Sequence, residues 1–248
     1  MRFTLFGFPV RVHPLFLLGP TLFGKGLIAG EGIIGVRWLI VVAVFFVSIL
    51  FHELGHAWAH RYFGMGSRIV LYWMGGLAIR ERNPWMSGGH RVAGEAHSQQ
   101  MVISLAGPVA SVVLVIAMIG LGVAIGGALL WGRILVFPLP WLDFSETVFR
   151  GNHYFKLLFN ATILLNLFWA ILNMLPVFPL DGGQLARAFF QKIDPVDGLK
   201  NSLYLSIGAA ALIAVFALSI EDMFLVIFFG FMAYQSWQSL QQFSGRRW

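Results

Sequence analysis

The residues of this sequence best suited to chemistry lie together in the stretch Phe51–Trp58, which reads F-H-E-L-G-H-A-W. Its centre is H-E-x-x-H, formed by His52, Glu53 and His56. Residues four apart on a helix project from the same face, so the two imidazoles can bind one zinc ion. The carboxylate beside them can accept a proton from a water molecule held by that metal. The alternative is a polar helix end at a membrane surface, with both histidines facing lipid headgroups.

The residues around the motif indicate that it lies in a membrane. The preceding stretch, Leu39–Leu50, is apolar and carries no charge. Over all 248 residues, 58% are hydrophobic and only 11% are charged, whereas a soluble domain has about 25% charged residues. The mean hydropathy is +0.77. These values predict a polytopic integral membrane protein in which residues 1–248 form a single membrane-embedded domain, with the motif near the end of a membrane-spanning helix.

Composition also narrows the ligands and partners. The sequence contains no cysteine, so disulfides and thiolate ligands are excluded, and a metal must be held by His, Asp or Glu. The formal charge is +6. In a membrane protein this excess indicates cytoplasmic loops rather than nucleic-acid binding.

The hydropathy pattern predicts an all-α fold with about six transmembrane helices. The predicted spans are Pro14–Gly30, Val36–Tyr62, Met101–Ile125, Lys156–Leu175, Leu203–Ser219 and Met223–Leu240. Six spans place both termini on one side, and most of the 17 Lys and Arg residues fall on that side. The bias predicts cytoplasmic termini and a site that faces the cytoplasm. We expect a multi-pass protein of a prokaryotic cell membrane.

Two features complete the predicted fold. Residues 1–13 alternate loosely and indicate a short N-terminal strand pair, while Arg68–Trp73 and Leu77–Arg80 flank Met74-Gly75-Gly76 and indicate a β-hairpin at the membrane edge. In the third predicted span, Gly107 and Ser111 are small enough to permit close contact between helices.

The best candidate for a third metal ligand is Asp181, in the stretch P-V-F-P-L-D-G-G at Pro176–Gly183. An ionised residue near membrane depth costs about 2.5–3.5 kcal/mol on insertion scales, so it usually has a functional partner. The two prolines end the preceding helix and leave Asp181 on chain that can bend toward the histidines. Three ligands leave the fourth position of zinc open for water, as catalysis requires. Asp181 could instead cap a helix that begins at Gly182.

These paired motifs resemble the site-2 protease family of intramembrane zinc metalloproteases. H-E-L-G-H lies on one span, and N-M-L-P-V-F-P-L-D-G-G follows at the end of a later one. The resemblance implies that His52, His56 and Asp181 bind Zn2+. It also implies that Glu53 is the catalytic base and that Asn173 hydrogen-bonds the reacting carbonyl. We expect a compact member without a PDZ or CBS domain.

The resemblance further implies a transmembrane protein substrate, cleaved within the lipid bilayer by regulated intramembrane proteolysis. Such a substrate must unwind before its carbonyls can be attacked. We therefore expect the hairpin to bind it by strand addition through Val70, Leu71, Gly75 and Gly76. Two alternatives are a catalytically silent zinc-binding adaptor and a transporter that uses the intramembrane His and Asp residues. A homo-oligomer is left open.

Overall fold

The computed structural model describes residues 1–30, 32–72, 75–81, 97–134, 137–144 and 153–244. The chain forms two compact units. Unit 1 comprises Met1–Pro84 and Ala106–Ala170, and unit 2 comprises Trp85–Leu105 and Ile171–Trp248. The strands are β1 (Arg2–Leu5), β2 (Phe8–Val12), β3 (Gly66–Tyr72), β4 (Gly75–Glu81), β5 (Gly127–Ile134) and β6 (Phe137–Phe144). The helices are α1 (Leu18–Phe23), α2 (Lys25–Ile28), α3 (Ile34–Tyr62), α4 (His97–Ala124), α5 (His153–Asn173), α6 (Asp181–Ile193), α7 (Gly198–Ser219) and α8 (Met223–Ser244).

Five of the described helices are long and apolar enough to cross a membrane, namely α3, α4, α5, α7 and α8. Each corresponds to a span predicted from the hydropathy pattern, with ends displaced by a few residues. The prediction of a polytopic helical membrane fold with small sheets is therefore confirmed.

The N-terminal strand pair and the hairpin belong to one four-stranded sheet in unit 1, with the order β1-β2-β3-β4. β1 pairs with β2 and β3 with β4 in antiparallel fashion, whereas β2 and β3 are parallel, with Val10 opposite Ile69. The sheet packs on the C-terminal half of α3. There Arg61 donates a hydrogen bond to Phe6 O at 2.9 Å and lies over the ring of Phe8.

The predicted first span differs from a regular helix. A 3-10 turn at Pro14–Leu17 is followed by the short helices α1 and α2. β2 precedes this segment and lies at the C-terminal half of α3, yet α2 ends beside the first turns of α3, where Arg37 Nε donates to Leu27 O and Ile28 O. α3 has 29 residues, which makes it about 43 Å long. This segment, the broken first crossing predicted from the sequence, runs back along α3 from one end toward the other, but it is not among the five described helices long and apolar enough to cross a membrane.

The hairpin and the loop after α4 also differ in detail from the prediction. Gly75 and Gly76 are the first two residues of β4, opposite Tyr72 and Leu71, and so lie in the strand rather than in the turn. Residues 126–154, predicted as a loop, contain the antiparallel pair β5-β6. This pair is held to α5 by two hydrogen bonds of 2.9 Å between the Asn160 amide and the backbone of Leu142.

Unit 2 positions the chain around Asp181. α6 is amphipathic, and Val177, Ala210, Phe229 and Met232 form a buried cluster. The segment Pro176–Gly183, predicted to break a helix, separates α5 from α6. Its interior residue Val177 is fully buried, which anchors the turn between the two helices in the core of the unit.

Candidate metal centre

The predicted metal ligands on α3 are buried and aimed at a common point. His52 is 2% exposed and His56 is 7% exposed, on consecutive turns of the helix. Their Nε2 atoms lie 3.2 Å apart. Two nitrogens bound at roughly 2.0–2.1 Å to one tetrahedral zinc would be about 3.3 Å apart. The imidazole pair therefore fits two adjacent vertices of a zinc site.

The other ring nitrogen of His52 has a partner on α4. Ser111 Oγ lies 3.1 Å from His52 Nδ1, and Ser111 is fully buried. When Nε2 binds a metal, Nδ1 carries the ring proton and donates it to this hydroxyl. Such a hydrogen bond fixes the tautomer and the orientation of a metal-binding histidine.

Gly107, one turn before Ser111 on α4, leaves room for the imidazoles. A Cβ at this position would overlap His56 Nε2 and lie 2.7 Å from His52 Nε2. Sequence reasoning identified Gly107 and Ser111 only as small residues that permit close helix contact. The structure places both against the nitrogens of the motif, and their spacing of four was the signal available in the sequence.

Glu53 faces the sheet rather than α4. It is 5% exposed, and a Cβ on Gly76 would overlap its Cγ and lie 2.7 Å from its Oε1. Tyr72 is opposite Gly75 in the hairpin, and burial, with a smaller contribution from the Glu53 carboxylate, raises the pKa of its phenol above the ordinary value. Tyr72 is therefore neutral at physiological pH, and Glu53 has a phenol rather than a phenolate in its surroundings.

Asp181 is held by its own unit at the start of α6. Leu180 occupies the N-cap position, so Asp181 is the first helical residue rather than the predicted cap of a helix starting at Gly182. A Cβ on Gly182 would overlap Met174 O, and one on Gly183 would overlap Phe178 N. The two glycines thus let the first turn of α6 pack directly on the preceding loop.

Two serines that sequence reasoning did not single out hold this loop from α7 and α8. Ser206 Oγ accepts a hydrogen bond from Phe178 N at 3.1 Å, and Ser236 Oγ donates one to Phe178 O at 3.4 Å. Both serines are buried. Nothing in their local sequence distinguishes them from serines that satisfy their own helix.

Among the described residues, His52, His56 and Asp181 are a group that could hold a metal ion. Two imidazole nitrogens and one carboxylate oxygen are the donor set of a catalytic zinc site with an open fourth position. This grouping supports the prediction of zinc as the cofactor.

Four further residues lie on α5, on β3 and on α3. Asn173 is the last residue of α5 and is half-buried. Val70 and Leu71 lie in β3, which is paired on both sides by β2 and β4. His60, which continues the i, i+4 series after His56, is buried, with Nδ1 3.2 Å from Ser67 Oγ.

Comparison with known proteins gives three similarities. Residues 145–215 match the model of peptidase family M50. A zinc metalloprotease from Methanocaldococcus jannaschii is 26% identical over 192 residues, which are 77% of this chain and 45% of the relative. A protein from Synechocystis sp., named provisionally as a zinc metalloprotease, is 28% identical over 202 residues, 77% of this chain and 44% of the relative. The chain thus spans a little under half the length of these relatives.

The fold is also similar to that of a solved structure. A site-2 protease from Methanocaldococcus jannaschii aligns with a TM-score of 0.57 and 22% identity, over 97% of this chain and 94% of the other. Together these similarities confirm the resemblance that the two motifs indicated.

Proposed function

Because this chain is a relative of the zinc peptidases of family M50, we propose that it is an integral membrane zinc endopeptidase. Its substrates would be membrane proteins, and the hydrolysed bonds would lie in or near their transmembrane segments. Regulated intramembrane proteolysis in a prokaryotic cell membrane, with the site toward the cytoplasm, is the setting that this proposal implies.

The observation that carries the proposal is the pairing of a complete zinc donor set with a buried carboxylate. His52 Nε2 and His56 Nε2 lie 3.2 Å apart, and Asp181 would supply the carboxylate oxygen that completes the set. Glu53 follows His52 directly and is almost fully buried. A silent zinc-binding adaptor would need the ligands but not the carboxylate.

The residues have distinct roles in this mechanism. His52, His56 and Asp181 would hold a zinc ion, which would supply the Lewis acidity that activates water and polarises the scissile carbonyl. Glu53 accepts the proton of the attacking water and passes it to the leaving amine. Asn173 donates a hydrogen bond to the oxyanion that develops on the carbonyl oxygen. Ser111 keeps His52 in the tautomer that leaves Nε2 free for the metal.

The sheet supplies the means to present an unwound substrate. β3 uses both of its edges within the sheet, so strand addition at Val70 and Leu71, as expected from the sequence, is blocked. β4 has β3 as its single neighbour among the described strands, and its residue Gly76 lies on Glu53. We therefore assign substrate pairing to the outer edge of β4, at Gly75 and Gly76, where an extended peptide would run past the base.

The substitution Glu53→Gln tests the function directly. It removes the proton acceptor while retaining size and the zinc ligands. We expect zinc content to remain and cleavage of a model single-span substrate to vanish, in detergent and in vesicles. Cleavage that survives the substitution would remove Glu53 from the mechanism. A wild-type protein that binds zinc but cleaves no membrane substrate would favour the adaptor or the transporter.

A further inference from the structure

Unit 1 contains an apolar pocket of about 400 Å³ that the zinc site does not use. It lies between the broken first crossing, α3 and α5, and it is partly open to the exterior. Its lining includes Phe23, Gly26, Phe45, Leu165, Phe168 and Trp169. None of the described lining residues is charged. Two of its walls, α3 and α5, are helices long and apolar enough to cross a membrane.

One side chain, that of Trp169, connects the pocket to the strand that contacts Glu53. Trp169 forms part of its wall and also covers Gly75, where a Cβ would lie 2.7 Å from Trp169 Cζ2. Gly75 has φ +128°, a conformation that side-chain-bearing residues rarely adopt. The next residue, Gly76, lies on Glu53. Two neighbouring residues of β4 thus link the pocket wall to the base.

We propose that this pocket is a specificity subsite that receives one large apolar side chain of the substrate, close to the scissile bond, with Trp169 as its inner wall. The inference rests on the proposed function and adds to it a preference for the substrate side chain that enters the pocket. A substrate with Phe or Leu at the position that enters the pocket is cleaved better than one with Ala, and a charged residue there is rejected.

Strand geometry explains why a substrate side chain, rather than a lipid chain, is the occupant. A peptide paired with the edge of β4 sends successive side chains to opposite faces of the sheet. Gly75 has no side chain, so the peptide residue beside it meets the indole of Trp169, which also forms part of the pocket wall. A lipid chain would not explain why this wall residue also lies against the strand that contacts Glu53.

Gly26 allows the pocket to be filled without disturbing the protein. A Cβ at this position meets nothing within 4 Å, and the backbone has an ordinary φ. Gly35 on α3 has the same open surroundings but does not line the pocket, so Gly35→Leu is the matched control. The test uses the full chain and a single-span substrate in which Phe, Leu and Ala are placed in turn at each position around the cleaved bond.

At one substrate position, Gly26→Leu should lower kcat/KM for Phe at least about tenfold, as expected when an apolar pocket loses the space for its side chain. Ala at that position should be cleaved at the wild-type rate, and zinc content should not change. Trp169→Ala should extend the preference to Trp. A uniform effect on all substrates, or an effect that follows lipid composition instead of substrate sequence, overturns the subsite.

A second measurement does not depend on turnover. The natural chain has no cysteine, so Gly26→Cys in the Glu53→Gln background gives a single thiol in the pocket. With an added two-electron oxidant such as diamide, we expect a disulfide with a substrate that carries one cysteine at the selected position, and none with Gly35→Cys. A crosslink without any wild-type cleavage would retain the docking site and reject the protease function, whereas cleavage without a crosslink would reject the subsite alone.

Discussion

On each of the two sides of the α3 motif, a glycine of a neighbouring element leaves room for the functional side chains. On one side Gly107 of α4 leaves space for the nitrogens of His52 and His56, and on the other Gly76 of β4 leaves space for the carboxylate of Glu53. One glycine is built into a helix and serves the metal ligands, while the other lies in an edge strand and serves the base. The difference indicates that metal binding and proton transfer depend on separate neighbours and can be lost separately.

The largest effect is expected from a substitution on the α4 side of the motif. In Gly107→Ala the new methyl overlaps His56 Nε2 and crowds His52 Nε2, so neither nitrogen can keep its position. We expect zinc affinity to fall by more than about a hundredfold, and cleavage to disappear with it. Zinc content per mole of purified protein is the measurement. Gly120→Ala, on the same helix with nothing within 4 Å of its Cβ, is the control, and full zinc content in Gly107→Ala would contradict the assignment.

A substitution on the β4 side of the motif should separate proton transfer from metal binding. In Gly76→Ala the methyl displaces Glu53 or moves β4 away from it. A misplacement on the order of 1 Å costs about a hundredfold in rate, so kcat should fall by that factor while zinc stays bound. Parallel cleavage and zinc assays check this. If the variant also lost its zinc, the two sides of the motif would not be independent.

A smaller effect is expected when the hydrogen-bond partner of one metal ligand is removed. Ser111→Ala removes the partner of His52 Nδ1, and loss of such a partner typically weakens metal affinity about 10- to 100-fold. Titration with a competing chelator measures the change. Val112→Ala, at the neighbouring exposed position of α4, should leave the affinity unaltered, and equal affinities in the two variants would remove Ser111 from the site.

The smallest effect is expected one turn away from the ligands. Ser48 Oγ accepts a hydrogen bond of 2.8 Å from Asn166 Nδ2, and both residues are buried. Hydrogen bonds between membrane helices contribute about 0.6 kcal/mol on average, so Ser48→Ala should lower the free energy of unfolding by about that amount. Unfolding in mixed detergent micelles measures it. A change in zinc affinity would show that the metal side extends farther along α3 than the glycine contacts indicate.

Residues whose role depends on local spacing were predictable from the sequence. His52 and His56 share a helix face because of their spacing, and the strand-forming residues around Gly75 indicated the hairpin. The five helices long and apolar enough to cross a membrane also followed from apolar runs. These features need only a few neighbouring residues to be recognised.

Features that join distant parts of the chain were not predictable. The parallel pairing of β2 with β3 decides that β4, not β3, is the outer strand, and it joins residues nearly sixty positions apart. The contact between Ser111 and His52 depends on how α4 is rotated about its axis. The broken first crossing follows from packing along α3, which a hydropathy pattern does not report.

The parallel pairing has a consequence for biosynthesis. β1 and β2 leave the ribosome first, but their partner β3 emerges only after the first crossing and α3 have been made. The parallel pairing therefore cannot form until residues 13–65 have been synthesised. The strand that contacts Glu53 is made only after that, so the base acquires its neighbour on β4 later than its own helix.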